Sequence, residues 1–184
     1  MPTELIGYVR PHRLASSTEV AGIDVNGELV LLEDQDRTAW DRGLVALAFR
    51  HLEQSAAGDR LSAYHVQAAI AASHAAAGGA ATDWPAILSL YDDLLAIDPS
   101  PVVRLNRAVV VAKVRGPQAG LADLAPLAAE PTLRRYYLLP AVRADLLVRT
   151  GRQAAARRAY REALARPCSQ PERRFLEQRL RRIS

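Results

Sequence analysis

The chain has 184 residues, with 24 basic and 20 acidic side chains and a formal charge of +4. One cysteine, Cys168, excludes an internal disulfide and a cysteine metal cluster, and no unbroken apolar run reaches the roughly 18–20 residues that cross a bilayer. Met1-Pro2-Thr3-Glu4 has no basic-then-apolar secretory pattern, so the expectation is a cytoplasmic protein with one packed core, or two small ones, and no membrane contact.

The net charge hides an asymmetry. Only Lys113 is lysine; the other 23 basic residues are arginine. The balance is −8 up to Asp98 and +12 from Pro99 onward. Opposite fields point to an acidic partner for the basic half, or to two halves facing one another. Arginine in place of lysine, with 34 alanines, also follows from a GC-rich genome.

Residues 1–35 read as an irregular arm. Ile23-Asp24-Val25-Asn26-Gly27-Glu28-Leu29-Val30 carries an Asn-Gly turn between apolar positions, which fits a short β-hairpin or a plain loop. From Asp36 to Ser184 the pattern is helical. Trp40, Leu44, Leu47, Ala48 and Leu52 recur at helical spacing until Gly58-Asp59. A second helix is predicted from about Leu61 to Ala77, with Tyr64, Ala68, Ala72 and Ala75 or Ala76 on one side, and Gly78-Gly79 stops it. Thr82 or Asp83 caps a third helix with Pro85 in its first turn, where a missing N–H costs nothing. Its buried stripe is Ile87, Leu88, Tyr91, Leu94 and Leu95, and Pro99 and Pro101 break it. Further helices are predicted at about 102–114, 118–129, 133–149, 153–165 and 172–182, each gap holding proline or glycine.

Short helices with short breaks predict an all-α fold of stacked antiparallel hairpins, in the manner of a tetratricopeptide (TPR) solenoid. Gly151, Ala156, Tyr160, Ala163 and Leu164 have the spacing of a turn followed by the second helix of that repeat. Small residues there let helices approach, and the aromatic fills the gap beside them. Ile87, Tyr91, Leu94, Leu95 and Pro99 repeat the second half of the pattern, and Gly116, Gly120, Leu124 and Leu127 make a weaker middle copy. The anchors Tyr91, Leu124 and Tyr160 lie 33 and 36 residues apart, bracketing a period of ~34. This register requires Tyr160 to be buried between helices. A generic α-bundle with the same packing remains the alternative.

Chemistry-bearing motifs are absent. There is no G-x-G-x-x-G, no phosphate loop around Lys113 and no G-x-S-x-G elbow. His12, His51, His65 and His74 form no close metal-ligand pair; the last two stand ~13.5 Å apart along one predicted helix. They read as surface or hydrogen-bonded histidines. Glu33, Asp34, Asp36 and Asp41 surround a helix start, where capping and the helix dipole account for them. The sharper reading makes Asp34, Asp36, Arg37, Trp40 and Asp41 a recognition surface. Asp92-Asp93 reads as a solvated face. Arginines crowd from Arg134 to Arg182; with Tyr136, Tyr137 and Tyr160 they could form a nucleic-acid footprint, but no reading motif accompanies them. A solvated face, or a docking face for an acidic protein, accounts for them better. No catalytic residue, metal or cofactor is expected.

Three blocks carry a resemblance. The first is Leu31-Leu32-Glu33-Asp34-Gln35-Asp36-Arg37 with Trp40-Asp41, and the second runs from Tyr64 through Gln67-Ala68-Ala69-Ile70-Ala71-Ala72 to His74. The third is Thr82-Asp83-Trp84 through Leu90-Tyr91-Asp92, then Pro99-Ser100-Pro101-Val102-Val103 and Leu105-Asn106-Arg107-Ala108-Val109. Together they resemble the C-terminal tetratricopeptide-like extension of extracytoplasmic-function (ECF) RNA polymerase sigma factors, over about Ile23 to Ile183. The resemblance implies a regulatory, non-enzymatic interaction module in transcription initiation. Its partners would be the sigma regions, polymerase or a regulator, with DNA bound only through the sigma regions, which this chain lacks. Candidate contact residues are Asp34, Asp36, Arg37, Trp40 and Asp41, then Tyr64, Asn106 and Arg107; the last two fit equally as hydrogen-bonded repeat-turn residues. The alternative is a stand-alone helical-repeat protein that binds an acidic peptide on its concave face.

Overall fold

In the computed structural model, residues 62–76 and 82–183 are described, together with Leu29 and Gly43. The arm, its Asn-Gly turn and the first predicted long helix lie outside these residues. The described part is all-α: α1 (Ala63–Ala76), α2 (Trp84–Ile97), α3 (Pro101–Val114), α4 (Pro117–Leu124), α5 (Leu138–Arg149), α6 (Gln153–Leu164) and α7 (Gln170–Arg182). No helix among the described residues is long and apolar enough to cross a membrane.

Proline and the capping residues set the helix starts. Asp83 accepts from the Ala86 N–H at 3.0 Å, with Pro85 in the first turn of α2. Ser100 caps α3 ahead of Pro101. Ser169 and Glu172 form a reciprocal capping box on α7, a signal the sequence carried and the prediction of a start at Glu172 missed. Two predicted helices are shorter than expected. The span 118–129 is helical only to Leu124; Pro126 has no N–H to continue the ladder, so the chain tightens into a 3-10 turn over Ala125–Ala129. The span 133–149 becomes α-helical only at Leu138, which leaves Pro140 in the first turn, where it breaks no hydrogen bond.

Consecutive helices pack on one another from α1 to α7, and α3 also touches α5. The links between α2 and α3, α3 and α4, and α5 and α6 are two or three residues long, which enforces antiparallel neighbours. Gly116 and Gly151 turn the chain at φ of +89° and +74°. The repeat register holds in space. Ile87, Gly120 and Ala156 are equivalent and buried, as are Tyr91, Leu124 and Tyr160, and Leu94, Leu127 and Ala163. Tyr160 is 3% exposed, between helices as its spacing requires. Helices α2, α4 and α6 thus form one layer and α3, α5 and α7 the other, a stack of helical hairpins. Central helices α3 and α5 are buried on most sides, so their apolar residues spread round the helix, interrupted by Arg104, Arg107 and Lys113 in α3 and by Arg143 and Arg149 in α5. On α1 the side turned to the core is Val66, Ile70 and His74, not the side of Tyr64, which is 82% exposed.

Candidate functional site

Three polar constellations lie on this scaffold. The first is Arg107, in the middle of α3. Its Nε donates to Asp92 of α2 at 2.6 Å, and its Nη1 donates to both oxygens of Asp123 of α4 at 2.9 and 2.8 Å. Burial alone would lower the guanidinium's pKa; the two carboxylates outweigh it and raise the value. Asn106 beside it is 6% exposed. Neither residue sits in a repeat turn. Both are mid-helix, and Arg107 ties three helices together, a structural task served by its planar fork of donors. Asp92, expected on a solvated face, has one side in this tie.

The second constellation is buried. The Glu172 carboxylate accepts from the Tyr137 hydroxyl at 2.7 Å and from the Ser169 N–H, which pins α7 to the start of α5. Cys168 lies next to it; burial pushes its thiol pKa up, against the pull of Arg173. Asp145 of α5 is 8% exposed. Burial pushes its pKa up to about 6, although Arg179, Arg149 and Lys113 favour the charged form. Its Oδ2 and the Arg149 Nη1 are both buried without a hydrogen-bond partner. His74 is a buried core residue, edge-on to Trp84 at 5.6 Å, and the Ser62 hydroxyl sits 2.8 Å from His65 Nδ1. Among the described residues no group of three His, Cys, Asp or Glu is placed to hold a metal ion.

The third constellation is the arginine-rich surface, and it divides in two. Many of these side chains close the fold by donating to carbonyls near helix ends. Arg149 reaches Ala112, Arg157 reaches Ile183, Arg166 reaches Leu133 and Tyr136, and Arg173 reaches Leu164. Glu162 pairs with both Arg143 and Arg166. Others, including Arg115, Arg152, Arg158, Arg161, Arg181 and Arg182, are exposed. A shallow groove lined by Gly151, Arg152, Gln153, Ala154, Ala155, Arg157 and Arg158 opens where α5 turns into α6.

Of the residues proposed from sequence, Tyr64 is exposed at the surface of α1, Asn106 is buried and Arg107 is engaged internally. Asp34, Asp36, Arg37, Trp40 and Asp41 lie outside the described residues.

Residues 12–56 match a family of unknown function, DUF6596. The chain is 39% identical over 178 residues to an uncharacterized protein of Rhizobium meliloti (strain 1021), a match that covers 96% of this chain and 42% of that protein. The chain thus spans less than half the length of this curated relative. No solved structure matches it.

Proposed function

We propose that the chain is a regulatory, non-catalytic helical-repeat module of an ECF RNA polymerase sigma factor, acting through contacts with the sigma regions, polymerase or a regulator. The observation that carries this reading is the three-block resemblance, above all Thr82–Asp92 with Pro99–Val109. A stack of helical hairpins supports it, because such a scaffold presents extended faces to macromolecules. The relative's length is also compatible with it, since the matched region fills 42% of that protein and leaves room there for other domains.

The contact residues on this reading are Asp34, Asp36, Arg37, Trp40 and Asp41, with Tyr64 as a second choice. A promoter–reporter assay in the full-length parent tests it. Arg37→Ala with Asp41→Ala should cut transcription about tenfold or more, the loss of roughly two charged contacts, while helical circular dichroism stays unchanged. Full reporter activity in the double variant would remove this surface from the proposal. If core polymerase and the sigma regions also fail to capture the chain at physiological salt, a stand-alone peptide-binding repeat protein replaces the sigma module.

A further inference from the structure

The alternation of the hairpins has an electrostatic consequence. Helices α3, α5 and α7 run the same way, so their C-terminal ends meet on one edge, together with the first turn of α6. Contacts fix this row. The Lys113 ammonium lies over the Trp84 ring at 5.3 Å, placing the end of α3 beside the start of α2. Arg149, at the end of α5, reaches the Ala112 carbonyl of α3. Gly151 then turns the chain into α6, whose Arg157 donates to the Ile183 carbonyl at the end of α7 at 2.8 Å.

Cations stand at every step of this edge: Lys113 and Arg115, Arg149, Arg152, Arg158, then Arg181 and Arg182. Each is locally favourable, because a helix C-terminus carries partial negative charge. Side by side, however, they repel, and the tertiary structure has brought them together. Arg115, Arg152, Arg158, Arg181 and Arg182 are exposed and pair with no described carboxylate. Nearby acids do not neutralise the row. Asp145 is buried beneath it, Asp83 at the start of α2 is engaged in capping that helix, and Glu177 stands a turn back on α7.

Most last-turn carbonyls on this edge already accept within the fold, Val111 from the Arg115 N–H, Leu147 from the Arg152 N–H, Ala112 from Arg149 and Ile183 from Arg157, so what the edge offers a partner is its guanidiniums. The sequence carries no nucleic-acid reading motif. An acidic polypeptide segment supplies carboxylates to pair with the arginines. We propose that the edge formed by the ends of α3, α5 and α7 and the first turn of α6 docks an extended acidic polypeptide segment of a partner protein, seated across the groove at Gly151–Arg158. This deepens the reading of the chain as a protein-docking module, and rests on it, through residues other than Asp34–Asp41.

The test is fluorescence anisotropy of a labelled peptide of alternating Asp and Gly, titrated with the whole chain near physiological ionic strength. Arg152→Glu with Arg158→Glu should weaken binding about tenfold or more. Arg134→Glu with Arg135→Glu makes the same change in net charge on the opposite edge, where Arg166 holds the turn before α5, and should change it less than about twofold. Arg152→Gln with Arg158→Gln gives a milder loss and guards against misfolding of the reversed pair. Duplex DNA of equal formal charge should compete poorly. No binding by the parent chain, equal losses from the two edges, or displacement by DNA at lower concentration than by unlabelled peptide would each overturn the proposal. The assay contains no promoter, so its failure leaves the reporter result standing, and the reverse holds too.

Discussion

Asp145 shows how a single side chain can carry the pH response of the fold. Its carboxyl is buried on α5 and its pKa is raised from 3.8 to about 6. The folded state therefore holds this proton more tightly than the unfolded chain does. Its contribution favours folding below pH 4 and is lost as pH rises through about 6, the reverse of a salt-bridged aspartate. Asp145→Asn should match the parent in urea melts near pH 4 and exceed it by roughly 2 kcal/mol at pH 7.5. A parent whose stability rises over that window relative to the variant would show the carboxylate to be favourably paired. Nothing in the sequence marks Asp145, because its unusual position depends on the helices around it. Arg107 teaches the same lesson: its charge was legible, but its two partners, 15 and 16 residues away on different helices, were not.

At the scale of the element, the close crossing of α3 and α4 rests on Gly120. A Cβ there would stand 2.6 Å from the Ala112 Cβ and 2.9 Å from the Ala108 carbonyl oxygen. Backbone cannot yield as a flexible side chain can. Gly120→Ala should therefore destabilise by about 1–3 kcal/mol despite alanine's better helix propensity, read as a fall in urea midpoint without a change in slope. A stabilised variant would mean that the two helices part without loss. The sequence showed glycine and alanine at equivalent places in the repeat, and so the close approach. It misplaced two helix ends, because a proline inside an apolar pattern can either stop a helix, as Pro126 does, or sit in its first turn, as Pro140 does. The α1 face was also misread: alanines on both sides gave the periodicity little contrast, and Val66 and Ile70 decided the packing.

At the scale of the molecule, each hairpin of a helical stack is supported by its neighbours, so the middle is held on two sides and the ends on one. Amide hydrogen exchange should be slowest in α3 and α5, around Val109–Val111 and Ala144–Leu146, and about tenfold or more faster in α1 and α7. Equal protection along the chain would instead describe one cooperative unit. The sequence by itself determined the all-α class, the stops at proline and glycine, and the spacing that brings Tyr91, Leu124 and Tyr160 to equivalent buried positions. These are local or periodic properties, and a one-dimensional pattern records them. Only the tertiary structure decided which arginines close helix ends and which stand exposed, and that the ends of α3, α5 and α7 share one cationic edge. Charge adds up through space, and residues as distant in the chain as Arg115 and Arg182 become parts of one surface only when the hairpins stack.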